Sequence, residues 1–393
     1  MKPDSRPLIA HVFHGLSTGG LENGVVNLIN RMPAQRFRHA VIALTEITEF
    51  SRRIERDDVR LIALNKPPGQ GLWTFRRMRD VLRELQPAVV HTRNLAALEM
   101  SVPAAWAGVP VRVHGEHGWD ISDPDGRSKK FRWWRRVYTP FVHHYVALSL
   151  HLQRYLVDHV GVKPRRVSQL YNGVDTQRFR PGVSERGPIV GSPFTSPDFW
   201  VVGSVGRLSP VKDPVLLARA FVRALELAPH ARARLRLVVT GEGPLRAELD
   251  AVLRSGRAAE LAWLAGDRDD VPDVMRGLDA FALPSLAEGV SNTVLEAMAT
   301  ALPIVATAVG GNVELLDPGV TGVLVPSRDV DAMARALLDD FAQPAAAHAR
   351  GLRARREAER RFSLEGMVGA YADLYERLLA QAAARGALQH RLT

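Results

Sequence analysis

The sequence predicts an α/β protein made of two doubly wound domains, each a parallel β-sheet covered by helices on both faces. Short apolar runs alternate with segments whose apolar residues recur at helical spacing, which is typical of strand–helix–strand units. The runs are almost continuously apolar, as expected for strands buried on both faces. The alternation occurs twice, on either side of a Pro-, Gly- and Ser-rich stretch at 181–198 that lacks periodicity.

The domain boundaries follow from this interruption. At 393 residues the chain is long enough for two domains of the usual roughly 100–200 residues. We expect an N-terminal Rossmann-like domain over residues 1–185 and a C-terminal Rossmann-like domain over 199–362. Residues 363–393 are expected to form a helix that returns to the N-terminal domain.

Thirteen strands are predicted, seven before the interruption and six after it. They are expected at 8–13, 39–45, 59–64, 88–93, 111–118, 143–149, 167–175, 199–206, 234–241, 261–266, 280–284, 303–307 and 322–326. Helices are expected between them, and three more close the chain at about 329–341, 344–361 and 364–385.

Composition excludes several kinds of site. The chain contains no Cys, which excludes disulfides, thiolate metal sites and a Cys nucleophile. The longest clear apolar run, ALPIVATAV, has nine residues, against the roughly 18 needed to span a bilayer. The N-terminal apolar stretch is interrupted by His11 and His14, so it is expected to be a strand and not a signal peptide. We therefore expect a cytoplasmic protein, either soluble or peripheral on the inner face of the plasma membrane.

The net charge of +10 is concentrated in the first half of the chain. Residues 1–190 contain 29 Lys and Arg against 17 Asp and Glu, whereas residues 191–393 contain 23 against 25. This imbalance favours an acidic partner for the first half: anionic lipid, a phosphorylated carrier or nucleic acid. The segment RSKKFRWWRRVY (127–138) interleaves aromatic residues with cations, which suits an anionic membrane surface. Stacking on nucleic acid, or a helix with an aromatic core face and solvated cations, would give the same pattern.

Glycine-containing loops follow the first strand of each domain. In STGGLENG (17–24), Gly19 and Gly20 permit close backbone approach and leave amides at a helix N-terminus, a natural phosphate site. A tight strand-to-helix turn would look the same. In GSVGRLSPVKD (203–213), the cations Arg207 and Lys212 suit a diphosphate, and a solvated surface loop is the alternative.

A third loop, AGDRDDVPDVM (265–275), follows a later strand of the second domain. Gly266 and Asp267 turn the chain there, with Arg268 next to them, and backbone groups of this loop can read a nucleobase edge. Capping of the following helix by acidic residues explains the same pattern.

Two glutamates, Glu288 and Glu296, stand eight positions apart in PSLAEGVSNTVLEAMA (284–299). On one ideal helix they would differ by about 80° in direction. With Glu288 on a loop and Glu296 in the second turn of a helix that begins near Ser291 or Asn292, both can point at one ligand. The amides of 290–293 can then hold phosphate oxygens, Glu296 can accept two ribose hydroxyls, and Glu288 can bind sugar hydroxyls or face developing positive charge.

The segment VHGEHGWD (113–120) places Glu116 and His117 at the end of the fifth strand. A hydrogen-bonded structural histidine is the alternative to a functional one. Because the sequence has no H-E-x-x-H, zinc is not expected. The DPD at 123–125 matches a metal-binding D-x-D only in its letters and is expected to be a turn, so no metal is expected.

Together these motifs resemble glycosyltransferase family 4, the retaining nucleotide-sugar transferases of the GT-B fold. Five motifs occur in the order of the family: TGGLE after the first strand, HGEHG at the fifth, YNGVD (171–175) before the linker, GRLSPVKD, and the E-x₇-E pair. The resemblance covers about residues 8–380. It implies two Rossmann-like domains facing a central cleft, with C-terminal helices packing back across the domains.

The resemblance also implies a role for each motif. Gly19 and Gly20 approach the donor diphosphate from the first domain. His117 hydrogen-bonds the transferring sugar near its reacting carbon, and Glu288 binds that sugar across its β-face, which makes these two the catalytic candidates. The other donor-binding candidates are Arg207, Lys212, Gly266, Asp267, Arg268, Val290, Ser291, Asn292, Thr293 and Glu296.

The implied reaction is hexosyl transfer from a nucleotide-diphosphate sugar to a glycan or lipid-linked acceptor, with retention and without a metal or other cofactor. Cations and amides would stabilise the charge on the departing diphosphate. Bacterial exopolysaccharide, lipopolysaccharide or glycolipid assembly is the expected setting. A nucleotide-sugar epimerase or a phosphorylase of the same fold remains an alternative, and so does a nucleic-acid-binding protein, suggested by the pI of 10.3. A dehydrogenase is disfavoured because G-x-G-x-x-G is missing.

Overall fold

The computed structural model of the chain describes residues 5–17, 19–67, 72–118, 123, 126–182 and 186–392. The chain divides into two compact units: residues 1–172 together with 364–393 form unit 1, and Gly173–Ser363 form unit 2. Unit 1 therefore ends ahead of the Pro-rich stretch, and the last helix belongs to unit 1.

Each unit contains one sheet. The strands of unit 1 are β1 Leu8–Phe13, β2 Arg38–Ala43, β3 Arg60–Ala63, β4 Val89–Arg93, β5 Val111–Glu116, β6 His144–Ala147 and β7 Val167–Gln169. Those of unit 2 are β8 Trp200–Val205, β9 Leu235–Thr240, β10 Ala262–Gly266, β11 Ala280–Leu283, β12 Ile304–Thr307 and β13 Val323–Val325.

The α-helices occupy most of the connections. They are α1 Gly20–Arg31, α2 Leu72–Leu85, α3 Asn94–Leu98, α4 Ser101–Trp106, α5 Lys129–Tyr138, α6 Leu150–Arg154, α7 Pro214–Leu227, α8 Arg246–Ser255, α9 Val271–Arg276, α10 Asn292–Ala299, α11 Asn312–Leu315, α12 Val330–Ala342, α13 Pro344–Arg361 and α14 Leu364–Leu392.

All strand pairs of both sheets are parallel, with the orders β3-β2-β1-β4-β5-β6-β7 and β10-β9-β8-β11-β12-β13. The predicted fold class, two doubly wound parallel sheets, is confirmed. Strand order reverses between β1 and β4 in the first sheet and between β8 and β11 in the second. These reversals are topological switch points, where ligands bind outside the carboxyl ends of the strands.

The first strand shows why the strands are apolar throughout. Leu8, Ala10 and Val12 pack into the cluster that includes residues of α2 and α4. Ile9, which points to the opposite face, packs into the cluster that includes residues of α1 and α14. Because side chains alternate between faces, a strand with helices on both sides has no solvent-facing position.

The helix expected between β4 and β5 is divided into α3 and α4. Pro103 lies in α4 and has no backbone N–H. In a continuous helix its ring would clash with the carbonyl of Glu99, which is the C-cap residue of α3. The break therefore follows from the sequence, although apolar periodicity alone does not reveal it.

We predict that the last helix is required for the stability of unit 1. Tyr375 is fully buried in the cluster with β1, β4 and β5, and its hydroxyl lies 2.8 Å from His91 Nδ1. Tyr375→Ala should lower the free energy of unfolding by about 3–5 kcal/mol, as large-to-small core substitutions do. Tyr375→Phe removes only the hydrogen bond and should cost about 1–3 kcal/mol.

Urea denaturation followed by circular dichroism measures both losses. Asp373→Ala is the control, since that side chain is 80% exposed on the same helix, and it should change the free energy by less than about 0.5 kcal/mol. Equal effects of all three substitutions would contradict this packing.

Candidate active site

The loops that follow β8 and β11 meet at the carboxyl edge of the second sheet. The two strands are neighbours, and strand order reverses between them. The backbone N–H of Leu286 donates a hydrogen bond to the carbonyl of Val211 at 2.8 Å, which holds the two loops together. The loops therefore lie at the switch point of unit 2, where a ligand is expected.

Lys212 and Glu288 are in contact across this switch point. Lys212 Nζ lies 2.6 Å from Glu288 Oε1, and Ser285 Oγ donates a hydrogen bond to the same oxygen at 2.6 Å. Glu288 is 8% exposed, whereas the side chain of Lys212 is 25% exposed. An ammonium has three donors and Glu288 uses one of them, so the exposed part of Lys212 can also bind an anion.

Arg207 is exposed on the loop after β8, and its side chain forms no hydrogen bond or ion pair with the described residues. The backbone of this loop is fixed by the loop after β9: Leu208 N donates to Glu242 O at 2.9 Å, and Leu245 N donates to Leu208 O at 3.0 Å. Gly241 has φ +127, and a Cβ there would collide with the carbonyl of Gly206. The close approach of the two loops therefore requires glycine.

Gly310, which none of the sequence motifs includes, supports the Glu288 loop from the side of β12. It has φ +50, and a Cβ there would collide with the carbonyl oxygen of Glu288. The next residue, Gly311, donates its N–H to that oxygen at 3.3 Å. The signal in the sequence is the pair of glycines that follows a strand, AVGGN at 308–312.

Helix α10 begins next to Glu288, as the sequence analysis expected. Ser291 is the N-cap, and its hydroxyl accepts a hydrogen bond from Val294 N at 3.3 Å and lies 3.1 Å from Thr293 Oγ1. Glu296 follows one turn later, in the second turn, and is half-buried. Val290 and Ser291 are buried, whereas Asn292 and Thr293 are half-buried.

The loop after β10 lies at the edge strand of the sheet, two strands from β8. Gly266 turns the chain with φ +73, and Asp267 is exposed. Arg268 donates two hydrogen bonds to Asp270, at 2.7 and 2.5 Å, and its guanidinium lies over the ring of Trp263. This pairing raises the pKa of Arg268 and lowers the pKa of Asp270. The Arg268 guanidinium is thus already engaged within its own loop.

In unit 1, Gly19 and Gly20 form the start of α1. Gly19 is the N-cap in an extended conformation, and Gly20 is the first helical residue. A Cβ at Gly19 would collide with the carboxylate of Glu22, which folds back over it. An added side chain at Gly19 would therefore displace the Glu22 carboxylate from its position over the first turn of the helix.

His117 follows β5, and its backbone N–H donates to Asn94 Oδ1 at 2.8 Å. Its imidazole folds back over Gly115, where an added Cβ would lie 2.6 Å from Nε2. That nitrogen is buried and has no hydrogen-bond partner within the described parts of the chain. His117 lines a small pocket together with Leu21 and Arg93, so it shares one site with the start of α1.

Arg93, the last residue of β4, is not part of any of the sequence motifs described above. Arg93 is 1% exposed, and its guanidinium lies 3.1 Å from His11 Nδ1 and 3.4 Å from His91 Nδ1. No carboxylate of the described residues is within ion-pair distance of it. In the sequence, Arg93 is recognisable only as a single arginine that ends an apolar strand, at the edge of the sheet where ligands bind.

Burial and the neighbouring cation Arg93 together keep three histidines neutral. Burial is the largest cause, and Arg93 adds to it, so that the pKa of His117 is lowered to about 3. The same two causes hold the pKa of His11 and His91 well below the usual range. At neutral pH, His117 therefore offers a neutral imidazole and not an imidazolium.

Glu116, to which the sequence analysis gave no role, forms a buried ion pair. Arg135 donates to both carboxylate oxygens, at 2.6 and 3.0 Å, and the two residues are 1% and 2% exposed. Burial alone would raise the pKa of Glu116, but Arg135 and His114 outweigh it and hold that pKa well below its usual range. The pair ties α5 to the end of β5.

Metal sites, the DPD segment and membrane-spanning helices can be examined only in the described residues. Among them, no cluster of His, Asp and Glu has the arrangement of a metal site. Asp123 acts as a turn residue, since its Oδ1 accepts a hydrogen bond from Ser128 N at 3.0 Å, whereas Pro124 and Asp125 lie outside the described residues. No helix of the described chain is long and apolar enough to cross a bilayer.

A pocket of about 790 Å³ in unit 2 is not this site. It is lined by residues at the amino ends of the strands, including Trp200, Asp279 and Pro303. These positions lie at the sheet edge opposite Lys212 and Glu288, where ligands of doubly wound folds do not bind.

Comparison with known proteins agrees with this architecture. A family model described as Glycosyltransferase Family 4 matches residues 18–178, and one described as Glycosyl transferases group 1 matches residues 200–341. The two sheets and these matches define an enzyme, a glycosyltransferase of the GT-B fold. Within that class, the chain belongs to glycosyltransferase family 4.

Two relatives illustrate the range of the similarity. UDP-Gal:alpha-D-GlcNAc-diphosphoundecaprenol alpha-1,3-galactosyltransferase of Escherichia coli is 28% identical over 267 residues, which are 66% of this chain and 67% of that protein. D-inositol 3-phosphate glycosyltransferase of Kineococcus radiotolerans is 36% identical over 256 residues, which are 60% of this chain and 57% of that protein.

Solved structures show the same fold at lower identity. The crystal structure of HepE of Anabaena in complex with UDP and glucose has a TM-score of 0.75 and 19% identity, and the alignment covers 94% of this chain and 99% of that chain. Sucrose-phosphate synthase of Thermosynechococcus elongatus has a TM-score of 0.78 and 20% identity, with coverage of 96% and 100%.

We predict that Glu116→Gln destabilises the protein by about 3–5 kcal/mol at pH 7, because Arg135 would keep a buried charge without its carboxylate. The folded-state pKa of Glu116 is depressed, so its contribution is fully present above the unfolded pKa of about 4.3 and is lost as the pH falls. Below that pH, the difference between wild type and variant should shrink by about 1.4 kcal/mol per pH unit.

The measurement is urea denaturation of both proteins between pH 3 and pH 8. Glu84→Gln is the matched control, because the Glu84 side chain is 65% exposed in a surface pair, and it should cost less than about 1 kcal/mol at every pH. A penalty for Glu116→Gln that does not change with pH would contradict the assignment of this ion pair.

Proposed function

We propose that this glycosyltransferase moves a sugar from a nucleotide diphosphate to a glycan or lipid-linked acceptor with retention of the anomeric configuration. The observation that carries the proposal is the contact between Lys212 and Glu288 at the switch point of unit 2. It brings a cation suited to a diphosphate and a carboxylate suited to sugar hydroxyls within 2.6 Å of each other.

The donor diphosphate is proposed to lie against Lys212 and the exposed guanidinium of Arg207. Breaking the bond between sugar and phosphate leaves negative charge on the diphosphate, and preorganised cations stabilise that charge without reorganisation. The amides at the start of α10 add partial positive charge. Lys212, which is held by Glu288, and the exposed Arg207 supply the positive charge that a divalent metal supplies in other transferases, so we propose that the reaction needs no metal.

Sugar and ribose are proposed to bind the two glutamates. Glu288 is held by Lys212 and Ser285, so its carboxylate is fixed as an acceptor for hydroxyls of the transferring sugar. Glu296, one turn into α10, is the proposed ribose ligand. The loop of Gly266, Asp267 and Arg268 contributes through its backbone to base recognition, because the Arg268 side chain is engaged by Asp270.

In unit 1, His117 is proposed to hydrogen-bond the transferring sugar, and Gly19 and Gly20 to contact the diphosphate. The lowered pKa of His117 supports this role, since a neutral imidazole can accept a hydrogen bond from a hydroxyl without adding positive charge beside an oxocarbenium-like centre. Arg93 supplies part of the field that keeps the ring neutral.

The acceptor and the setting are proposed from the relatives. One is named for transfer to a diphosphoundecaprenol-linked sugar and another for transfer to inositol 3-phosphate. We propose an acceptor in bacterial exopolysaccharide, lipopolysaccharide or glycolipid assembly, reached from the cytoplasmic face of the membrane. The exposed Trp133 of α5, among the cations of residues 127–138, supports association with an anionic membrane surface.

We predict that one of UDP, GDP and ADP raises the melting temperature, because a ligand at 100 times its Kd stabilises the folded state by about 2.7 kcal/mol. UDP is the first nucleotide to test, since it is the one named with the relatives. Lys212→Met and Arg207→Ala should each abolish most of the shift by removing a charged partner of the diphosphate.

Arg254→Ala controls for the loss of a cation, as its side chain is 72% exposed on α8, and it should keep the full shift. Melting curves with increasing nucleotide give the comparison directly. If both variants at the switch point responded like wild type, the nucleotide would bind elsewhere and the proposed donor site would be wrong.

We also predict that sugar transfer proceeds in the presence of excess EDTA and yields a product with the anomeric configuration of the donor. Activity in EDTA is expected because Lys212 and Arg207 stabilise the charge on the diphosphate. Retention of the anomeric configuration is expected from the resemblance to retaining enzymes. Proton NMR of the product reads the configuration from the anomeric coupling constant. An inverted product, or activity that EDTA removes and Mg²⁺ or Mn²⁺ restores, would contradict the proposal.

A further inference from the structure

A second polar pocket lies in unit 1, between the start of α5, helix α6 and the π-helical turn Tyr155–Val160 that follows α6. Its volume is about 480 Å³. It does not include any residue of the candidate active site. Its lining consists of Gly126, Arg127, Arg132, His151, Arg154, Tyr155, Asp158 and His159.

The three arginines of this pocket have no acidic partner among the residues that the structure describes. Arg127 and Arg154 are exposed and form no side-chain hydrogen bond or ion pair with them. Arg132 donates from Nη2 to the carbonyl of Arg127 at 3.1 Å, while its Nε is buried without a partner. Asp158, the single acidic residue of the lining, lies beyond ion-pair distance of all three.

The floor of the pocket does not cancel this charge. The guanidinium of Arg135 lies over the ring of Tyr155 at 5.4 Å from its centroid. The Glu116 carboxylate is committed to Arg135 through two hydrogen bonds, so it is not available to the arginines of the lining. The pocket therefore combines a floor whose charges neutralise each other with three arginines that have no carboxylate partner among the described residues.

Exposed apolar side chains occur on the same two helices. Trp133 is 55% exposed and Val137 is 38% exposed on α5, and Leu150 is 39% exposed on α6. Large apolar groups beside cations are typical of a surface that meets the boundary between lipid headgroups and acyl chains. A soluble anion would give no reason to expose them.

We propose that this pocket binds the phosphate or diphosphate group of a lipid-borne acceptor, while the apolar side chains of α5 and α6 contact its hydrocarbon chain. Arginine forks bind phosphate oxygens in a bidentate manner, and three of them match the charge of a diphosphate. This inference rests on the proposed function and names its acceptor class. Helix α6 follows the carboxyl end of β6, next to β5 and His117, so the pocket lies at the sheet edge proposed for transfer.

The test uses the full chain and farnesyl diphosphate, a short, soluble polyprenyl diphosphate, in calorimetric titrations. Wild type should bind it, and the double variant Arg127→Gln/Arg154→Gln should bind at least tenfold more weakly, which is about 1.4 kcal/mol. Both arginines are exposed, and their side chains form no hydrogen bond or ion pair with the described residues, so folding should be unaffected. Arg83→Gln, an exposed arginine on α2 of the same unit, is the matched control and should bind like wild type.

Inorganic diphosphate is the second probe, and it separates the lipid from a free anion. The proposal expects it to bind at least tenfold more weakly than farnesyl diphosphate. Equal affinity for both probes would overturn the lipid assignment, and equal affinity of wild type and the double variant for farnesyl diphosphate would overturn the pocket.

The nucleotide shift in melting temperature distinguishes failure of this inference from failure of the proposed function. The double variant should keep the wild-type response to the nucleotide, because its arginines are not part of the donor site. If farnesyl diphosphate does not bind while the nucleotide response persists, the acceptor assignment is wrong and the donor site stands. If the nucleotide response is missing in wild type as well, the proposed function itself fails.

Discussion

The contact between Lys212 and Glu288 is the interaction on which the proposed donor site depends. It joins the loops after two neighbouring strands, and it exists because a parallel sheet brings the carboxyl ends of its strands to one edge. Glycines at 241 and 310 let the surrounding loops approach closely enough to fix both side chains. The pair therefore comes from backbone packing, and the chemistry of the site follows from its position at the switch point.

The carboxyl edge of the sheet in unit 1 has a different arrangement of charged side chains. Arg93 is buried among histidines with no carboxylate of the described residues beside it, and burial together with this cation keeps the neighbouring imidazoles neutral. A second buried arginine, Arg135, is paired with Glu116, so its charge is neutralised and does not attract an anionic ligand. This difference leaves unit 1 with positive charge at its ligand edge, and it agrees with the basic first half of the sequence.

Much of this arrangement could be predicted from the sequence, because strands buried on both faces leave a strong apolar signal. All thirteen strands occur where the apolar runs lie, and α10 begins at Asn292 as expected. Three features could not be predicted from apolar periodicity. Pro103 divides a helix through local sterics, Asp270 occupies Arg268 through a contact within its own loop, and Arg93 becomes important only when the fold buries it. Apolar periodicity carries no information about such contacts.

The most direct test of the central claim is a crystal structure of the protein with the nucleoside diphosphate that stabilises it. We predict diphosphate oxygens within hydrogen-bond distance of Lys212 Nζ and the Arg207 guanidinium, and ribose hydroxyls on the Glu296 carboxylate. A nucleotide bound away from the β8–β11 switch point, with these three side chains making no contact to it, would contradict the account.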